Sequence, residues 1–357
     1  MRPLFLLITS LACHLLSVGA AETKSQENPL DIYWIDSEGG GSTLIVTPAG
    51  ESVLVDTGNP GGRDAGRIHR VATECAGLKR IDHVVITHFH GDHFGGLADL
   101  AALLPIGTLY DKGITDEVPD QGGNQLRWTL SSRPYREAKV ERRVTLAAGD
   151  EVKLRQGKGL PPLSLRCLAA NQKMIAPAPG QPVNPLTSEV PAKAPDPSDN
   201  ANSVVLLLAY GGFRFFDGGD LTWNVEQKLV SPHNLAGEVD LYQVNHHGLD
   251  SSSHPLLVRS LAPTVAVFNN GPRKGTSQSA MDALKAVPGL QATYQVHENV
   301  REDRHNNTVP EMIANHGDLG DACAAHHLKC SVRADAKAYT MQVPSRGHSR
   351  VFETRAK

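Results

Sequence analysis

The run His88-Phe89-His90-Gly91-Asp92-His93 puts three imidazoles and a carboxylate within six residues. It follows Ile81-Asp82-His83-Val84-Val85-Ile86-Thr87, which reads as a buried strand. A strand end exposes its last residues at one rim of a sheet. His88 and His90 are two apart, so in extended backbone their rings point the same way and can hold one divalent cation. Asp92 and His93 lie just past the turn and can face a second. Imidazole with carboxylate suits zinc best and admits manganese or iron. One histidine here would read as a satisfied loop residue. Three with an aspartate, directly after a buried strand, point to metal.

Two more strand ends supply what this run lacks. Asp220 follows Phe213-Arg214-Phe215-Phe216 through Gly218-Gly219, where backbone can bend sharply, and its carboxylate could bridge two metals. His246-His247-Gly248 follows a strand over 239–244, and one of these rings could complete the second metal.

The elements that must carry these residues alternate between strand and helix. Strands are expected over 31–35, 42–46, 52–55, 81–87, 203–208, 213–216, 239–244 and 264–268. Helices are expected over 63–75, 97–104, 224–229, 255–261 and 278–287. The pattern is that of a mixed α/β protein. Residues 176–198 are nearly a third proline and read as a long exposed loop inserted in the domain.

The chain has 357 residues, 40% hydrophobic and 20% charged, the composition of an ordinary globular protein rather than a disordered one. Lys+Arg is 35 and Asp+Glu 38, giving a net charge of −3. That balance supplies no global attraction to nucleic acid or an acidic membrane. Aromatic residues, at 5%, are too few for a stacking surface to be the main feature. Met1-Arg2, an apolar run over 4–18 and the small residues Gly19-Ala20-Ala21 read as a secretory signal peptide. Residues 1–21 are therefore expected to be removed on export to the periplasm or outside the cell. No later stretch is apolar enough to span a membrane. Export would leave Cys75, Cys167, Cys323 and Cys330 in an oxidising compartment, where Cys323–Cys330 could close a small loop and Cys75–Cys167 would be the second pair, four free buried thiols being the alternative.

Taken together, Asp56 in Val-Asp-Thr-Gly, the run 88–93, Asp220 in Gly-Gly-Asp-Leu and His247 resemble the metallo-β-lactamase superfamily over roughly residues 30–270. The nearest-looking branch is the hydrolase domain of bacterial DNA-uptake competence proteins, together with secreted pneumococcal-type phosphorylcholine esterases. Asn202-Ser203-Val204-Val205-Leu206, Gly219-Asp220-Leu221 and Val239-Asp240-Leu241 before His246-His247-Gly248 suggest that branch. The resemblance implies an αββα sandwich with the metals at one edge. It places a hydrolase domain over 22–300, with the Pro-rich insertion at 176–198 and a C-terminal extension over 301–357 of unassigned role.

There is one departure. The family usually has a third histidine on the first metal, before the strand leading to the bridging aspartate. No histidine occurs between His93 and His233. Either Asp199 or Asn202 fills that slot with oxygen, or the first metal keeps an open position. Oxygen ligands would admit manganese more easily.

Two-metal chemistry then assigns roles. His88 and His90 would hold the first metal, and Asp92, His93 and His247 the second. Asp220 would bridge. The cations would share a hydroxide and stabilise the developing oxyanion, with Asp92 also placed to orient the nucleophile. Asp92 and Asp220 are thus the expected catalytic residues. Asp56 either fixes the tautomer of a ligand histidine or is a plain turn residue. His246 touches substrate or faces solvent, with Asn202 and Asn245 as weaker candidates. The leading expectation is hydrolysis of a phosphodiester by an exported dinuclear metal enzyme. The alternative is cleavage of an ester, lactone or amide, including acyl-homoserine lactones and β-lactams. A third reading, a metal-binding module without turnover, conflicts with the intact Asp92 and Asp220.

Overall fold

Alternation decides which way each strand faces. In β1 (Leu30–Trp34) the side chains of Leu30, Ile32 and Trp34 enter one core while Tyr33 enters another. The computed structural model describes residues 28–187, 190–302, 306–317 and 319–355. The expected signal peptide lies outside the described residues. β2 (Thr43–Val46) and β3 (Ser52–Val55) continue the meander antiparallel. The chain then switches to parallel strands, β4 (Ile81–Val85), β5 (Ile106–Asp111) and β6 (Arg142–Thr145). Parallel neighbours need crossovers, and helices supply them. These are α1 (Arg63–Arg70), continued by a π-helical turn Val71–Cys75, then α2 (Gly91–Phe94), α3 (Leu97–Leu103) and α4 (Gln125–Glu137).

The second sheet is built the same way. β7 (Glu151–Val152), β8 (Leu163–Ala170), β9 (Lys173–Met174), β10 (Val205–Tyr210) and β11 (Phe213–Asp217) are antiparallel. From β11 the ladder turns parallel through β12 (Leu241–Gln243), β13 (Val265–Phe268), β14 (Ala292–His297) and β15 (Ile313–Asn315). Helices α5 (Trp223–Val230), α6 (Pro255–Leu261) and α7 (Gln278–Lys285) cover its outer face. The last segment returns to the first sheet. β16 (Leu328–Val332) pairs with the free edge of β1, and β17 (Ala338–Val343) and β18 (His348–Glu353) extend outward from it.

Three apolar layers hold this together. Between the sheets lie Trp34, Ile45, Val53, Leu206, Phe215 and Tyr294 among others. The first sheet packs its outer face on α1, α3 and α4 through Leu54, Val84, Ile68, Leu100 and Trp128. The second packs on α5 to α7 through Phe216, Tyr242, Leu229, Leu257 and Leu284. This is the expected αββα sandwich. A polar pin crosses it: Gln243 Oε1 accepts from Trp34 Nε1 at 2.8 Å and from Thr43 Oγ1 at 2.7 Å. The described part of 176–198 forms no helix or strand, as its proline content requires.

The cysteines correct an expectation. All four described cysteines are free thiols. Cys330 is wholly buried between the sheets, opposite Ile32 and Met341, whereas the nearby Cys323 faces Asp36 across a loop. Cys167 is buried in the same inter-sheet core, and Cys75 is exposed beyond α1. Alkylation of the denatured, unreduced chain beginning at Glu22, read by mass spectrometry, should therefore label four thiols. Fewer would show that a bridge forms.

Candidate metal centre

Parallel strands deliver the site. β3, β4, β11, β12 and β13 all end at one rim, and the chemistry-bearing residues follow those ends. Asp56 comes directly after β3, Thr87 and His88 after β4, Asp220 after β11, His246 and His247 after β12, and Asn269 after β13. Both sheets therefore contribute to a single cluster.

Asp56 organises the first half. It adopts φ 61, a left-handed conformation that Asp tolerates better than most residues. Its Oδ1 accepts from Thr87 N at 2.8 Å. Its Oδ2 accepts from Thr87 Oγ1 at 2.8 Å and from His93 Nδ1 at 2.7 Å. Thr87 has thus given its proton to Asp56, so its oxygen must accept from His88 Nδ1, 3.0 Å away. One carboxylate fixes the tautomer of two histidines and leaves both Nε2 atoms with bare lone pairs. Gly41 makes room for it: a Cβ there would stand 2.7 Å from His93 Nδ1 and 2.8 Å from Asp56 Oδ2.

The other rings are set the same way. His247 Nδ1 donates to the Asn269 carbonyl at 2.8 Å. His90 is turned over: its Nε2 donates to Asp120 Oδ1 at 3.1 Å, which leaves Nδ1 as the free nitrogen. These bare nitrogens converge on Asp220. His93 Nε2 is 3.2 Å from Asp220 Oδ2, His88 Nε2 is 3.8 Å from the same oxygen, and His247 Nε2 is 3.5 Å from Oδ1. Asp92 Oδ2 lies 3.5 Å from His93 Nε2 and 3.8 Å from His247 Nε2. His88 Nε2 and His90 Nδ1 face each other at 3.2 Å.

These residues fit divalent metal. His93 Nε2 and His247 Nε2 are buried with no hydrogen-bond partner, a costly state unless something positive sits among them. Asp92, His93, Asp220 and His247 present ligand atoms all within 4.8 Å of one another. Tetrahedral ligands with bonds of 2.0–2.2 Å stand about 3.3–3.6 Å apart, close to the separations seen here. His88 and His90 would hold one cation, and Asp92, His93 and His247 the other, with Asp220 between.

Electrostatics agrees. Burial pushes His88 well below the usual imidazole range, with His93 adding to the effect. For Asp220, burial acts upward, but His93, His247 and His246 outweigh it and hold the carboxyl well below its ordinary range. Asp92 is lowered likewise: burial opposes, and His93 and Lys274 prevail. His93 runs the other way. Burial opposes its charge, yet Asp220, Asp56 and Asp92 raise it well above an ordinary histidine. Three carboxylates draw positive charge to this point.

Three expectations are revised. Asp199 and Asn202 do not face the cluster. Asp199 is wholly buried, with Oδ1 against Lys112 Nζ at 2.8 Å and accepting from Asn202 Nδ2 at 3.0 Å; Oδ2 accepts from Phe89 N at 2.8 Å. Both residues brace the loop that carries His88 and His90. Asn245 also turns away, donating to the buried Glu226 at 2.7 Å. His246, by contrast, does not face solvent. Its Nε2 is 3.5 Å from Asp220 Oδ2.

Several participants escaped sequence reasoning. Asp120 lies in an irregular loop with no motif around it. Lys274 follows β13, so it belongs to a strand end on the same rim and could have been singled out. Its Nζ lies 2.6 Å from Asp92 Oδ2 and 2.8 Å from Gly39 O. Beyond it is a cleft of about 340 Å³ bordered by Glu38, Arg273, His297 and Cys323. There Asp36 pairs with His297 Nε2 at 2.7 Å and with Arg67 at 3.0 Å. A second cleft, about 460 Å³, opens beside His90 and is lined by Phe89, Phe94, Val118, Trp128 and Arg127.

A family model described as the metallo-beta-lactamase superfamily matches residues 36–207. The chain carries a metallo-beta-lactamase superfamily domain. The matched span includes Asp56 and the run 88–93, while Asp220, His246 and His247 lie beyond it and join the site through the second sheet. Among curated relatives, Competence protein ComA of Neisseria gonorrhoeae is 23% identical over 235 residues, 65% of this chain and 26% of that protein. Recombination protein 2 of Haemophilus influenzae is 31% identical over 114 residues, 30% of this chain and 14% of that one. The chain thus spans about a quarter or less of the length of these relatives. Among solved structures, the metallo-beta-lactamase fold protein YhfI of Bacillus subtilis aligns with a TM-score of 0.41 at 12% identity, covering 74% of this chain and 96% of that one.

Two outcomes follow from the domain's geometry. Replacing Asp56 by Asn should weaken metal binding about 10- to 100-fold, because the proton acceptor for His93 and Thr87 is lost. Chelator competition measures this, and unchanged affinity would remove Asp56 from its orienting role. The second concerns His297, raised to about 9: burial opposes its charge, and the Asp36 hydrogen bond outweighs that. A raised folded value means the stabilisation is complete below about pH 6.5 and is lost as pH rises through about 9. The Tm gap between wild type and His297→Gln should be widest near pH 6 and close above pH 9. A gap independent of pH would contradict the ion pair.

Proposed function

We propose that this chain is a dinuclear metal-dependent hydrolase that cleaves phosphodiesters. The observation that carries the reading is the convergence of imidazole nitrogens on the buried Asp220 carboxylate, an arrangement that calls for positive charge among them. Zinc suits this nitrogen-rich donor set best, and manganese is the second choice. The chemistry such cations supply is Lewis acidity toward a water and toward the substrate's phosphoryl or acyl oxygen.

The chain's own residues do the rest. Asp56 holds His93 and, through Thr87, His88 in the ligating tautomer. Asp120 does the same for His90. Lys274 fixes the Asp92 carboxylate and presents a cation to the cleft next to it. The same cleft carries Arg273 but also Glu38 and the Asp36–His297 pair, so support for a phosphodiester over a neutral ester comes from the family resemblance, the likeness to a competence protein included, rather than from the charge of this rim. The net charge of −3 does not favour long duplex nucleic acid, so a small or cell-surface phosphodiester is the better match.

One observation favours ester, lactone or amide cleavage as the second reading. The aromatic cleft beside His90 would receive an apolar acyl or leaving group. Export rests on the character of residues 1–21. Among the described residues no helix is long and apolar enough to cross a membrane.

The test uses the chain from Glu22 onward. Elemental analysis should count two metals. Bis(p-nitrophenyl) phosphate should be hydrolysed, and His90→Ala and Asp220→Ala should each lower that rate by at least about a hundredfold, the equivalent of several kcal/mol of lost charge stabilisation. Activity confined to lactones or esters would transfer the assignment to the second reading. Fewer than one metal per chain after supplementation, with no turnover, would end both.

A further inference from the structure

The first metal lacks its usual third histidine, and the two residues nearest that slot in sequence are committed elsewhere. Asp199 is locked by Lys112, Phe89 and Asn202. Asn202 spends its side-chain amide on Asp199 and accepts from Gln172 at 3.1 Å. The donor must come from another part of the fold.

His246 has the required properties. Its backbone takes φ 53, and its N–H donates to Gly219 O at 2.9 Å. That bond ties the residue to the turn that presents Asp220. Its Nδ1 has two hydroxyl neighbours, Ser251 Oγ at 2.9 Å and Ser252 Oγ at 3.2 Å. Ser252 Oγ gives its own proton to Leu221 O at 2.8 Å, so toward the ring it can only accept. Ser251 Oγ can accept as well as donate, so a proton on Nδ1 satisfies both serines and leaves Nε2 a bare donor. This is the tautomer that Asp56 and Asn269 impose on His88, His93 and His247. The bare Nε2 stands 3.5 Å from Asp220 Oδ2, the oxygen that also faces His88 and His93. Asn200 Nδ2 also lies near it, at a long 3.4 Å.

We propose that His246, through Nε2, takes the coordination position on the first metal that the missing histidine leaves open. The proposal rests on the dinuclear reading above. It gives the first site three nitrogens, from His88, His90 and His246, with the Asp220 carboxylate. The two adjacent histidines of one turn then serve different metals, His246 the first and His247 the second. Three nitrogens make that site selective for zinc over manganese, which an oxygen in the slot would not do.

The experiment is a metal titration on the chain from Glu22, using zinc and manganese in separate runs with a chromophoric chelator as competitor. Wild type should bind two zinc ions. His246→Ala should keep one at wild-type affinity and bind the other at least about a hundredfold more weakly, beyond what loss of an orienting partner costs. His246→Asp should recover the second ion with a preference shifted toward manganese. Ser252→Ala should weaken the same ion by less. Metal-free thermal unfolding of each variant checks that it folds. Two zinc ions held by His246→Ala at wild-type affinity would overturn the proposal. So would loss of the ion in Asn200→Ala but not in His246→Ala, which would give the slot to the Asn200 carboxamide oxygen, buried without a partner. A wild type that binds one ion only would instead bring down the dinuclear reading, and this inference with it.

Discussion

Asp220 sits among imidazole nitrogens whose protons are all committed elsewhere. An ionised carboxylate facing such nitrogens at 3.2–3.8 Å needs positive charge among them, as the raised proton affinity of His93 also records, and the buried position removes the water that would otherwise screen it. The fold holds the arrangement by surrounding it with acceptors that keep each proton on the far nitrogen: Asp56, Thr87, Asp120, Asn269 and the paired serines 251 and 252. Removing one acceptor would let a ring change tautomer and point an N–H where a lone pair is needed. The site is thus specified less by its ligands than by what stands behind them.

That cluster joins two sheets. Asp56 and the run 88–93 belong to the first, Asp220, His246 and His247 to the second. Their alignment depends on how the sheets register against each other. The inter-sheet apolar layer sets the spacing, and Gln243 adds direction by accepting from both Trp34 and Thr43. Gln243 ends β12, two residues before the turn carrying both histidines. Gly219, at φ 54, allows the approach on the other side, since a Cβ there would stand 2.8 Å from the Thr87 Cβ.

Much of this was legible in the sequence because strand ends announce themselves. An apolar run that stops at His-x-His-x-Asp-His carries both the element and the chemistry, and the same holds for Gly-Gly-Asp and His-His-Gly. Most of the expected strands and helices lie within two or three residues of those observed. The supporting residues were not legible. Asp120 reaches His90 across 30 positions and Lys274 reaches Asp92 across 182, with no local pattern to connect them. The third-histidine slot misled because neighbours in sequence were considered while the fold uses neighbours in space. The cysteines misled in the same manner: an even count suggested pairs, but burial places Cys330 and Cys323 in different surroundings. The C-terminal strands did leave a signal. Leu328, Cys330 and Val332 alternate with Lys329 and Ser331.

That C-terminal return constrains how the molecule can assemble. β1 pairs with β2 on one side and with β16 on the other, joining Leu30 to Val332 and Asp31 to Ser331, whose side chains bond at 2.6 Å across 300 positions. Until the last strands arrive, one edge of β1 presents unpaired backbone groups, an open template for another chain. Contacts of such separation in sequence form late and slowly. A chain shortened at its end would keep every metal ligand yet leave an aggregation-prone edge. The ordering of synthesis thus bears on a centre whose proposed metal ligands all precede position 250.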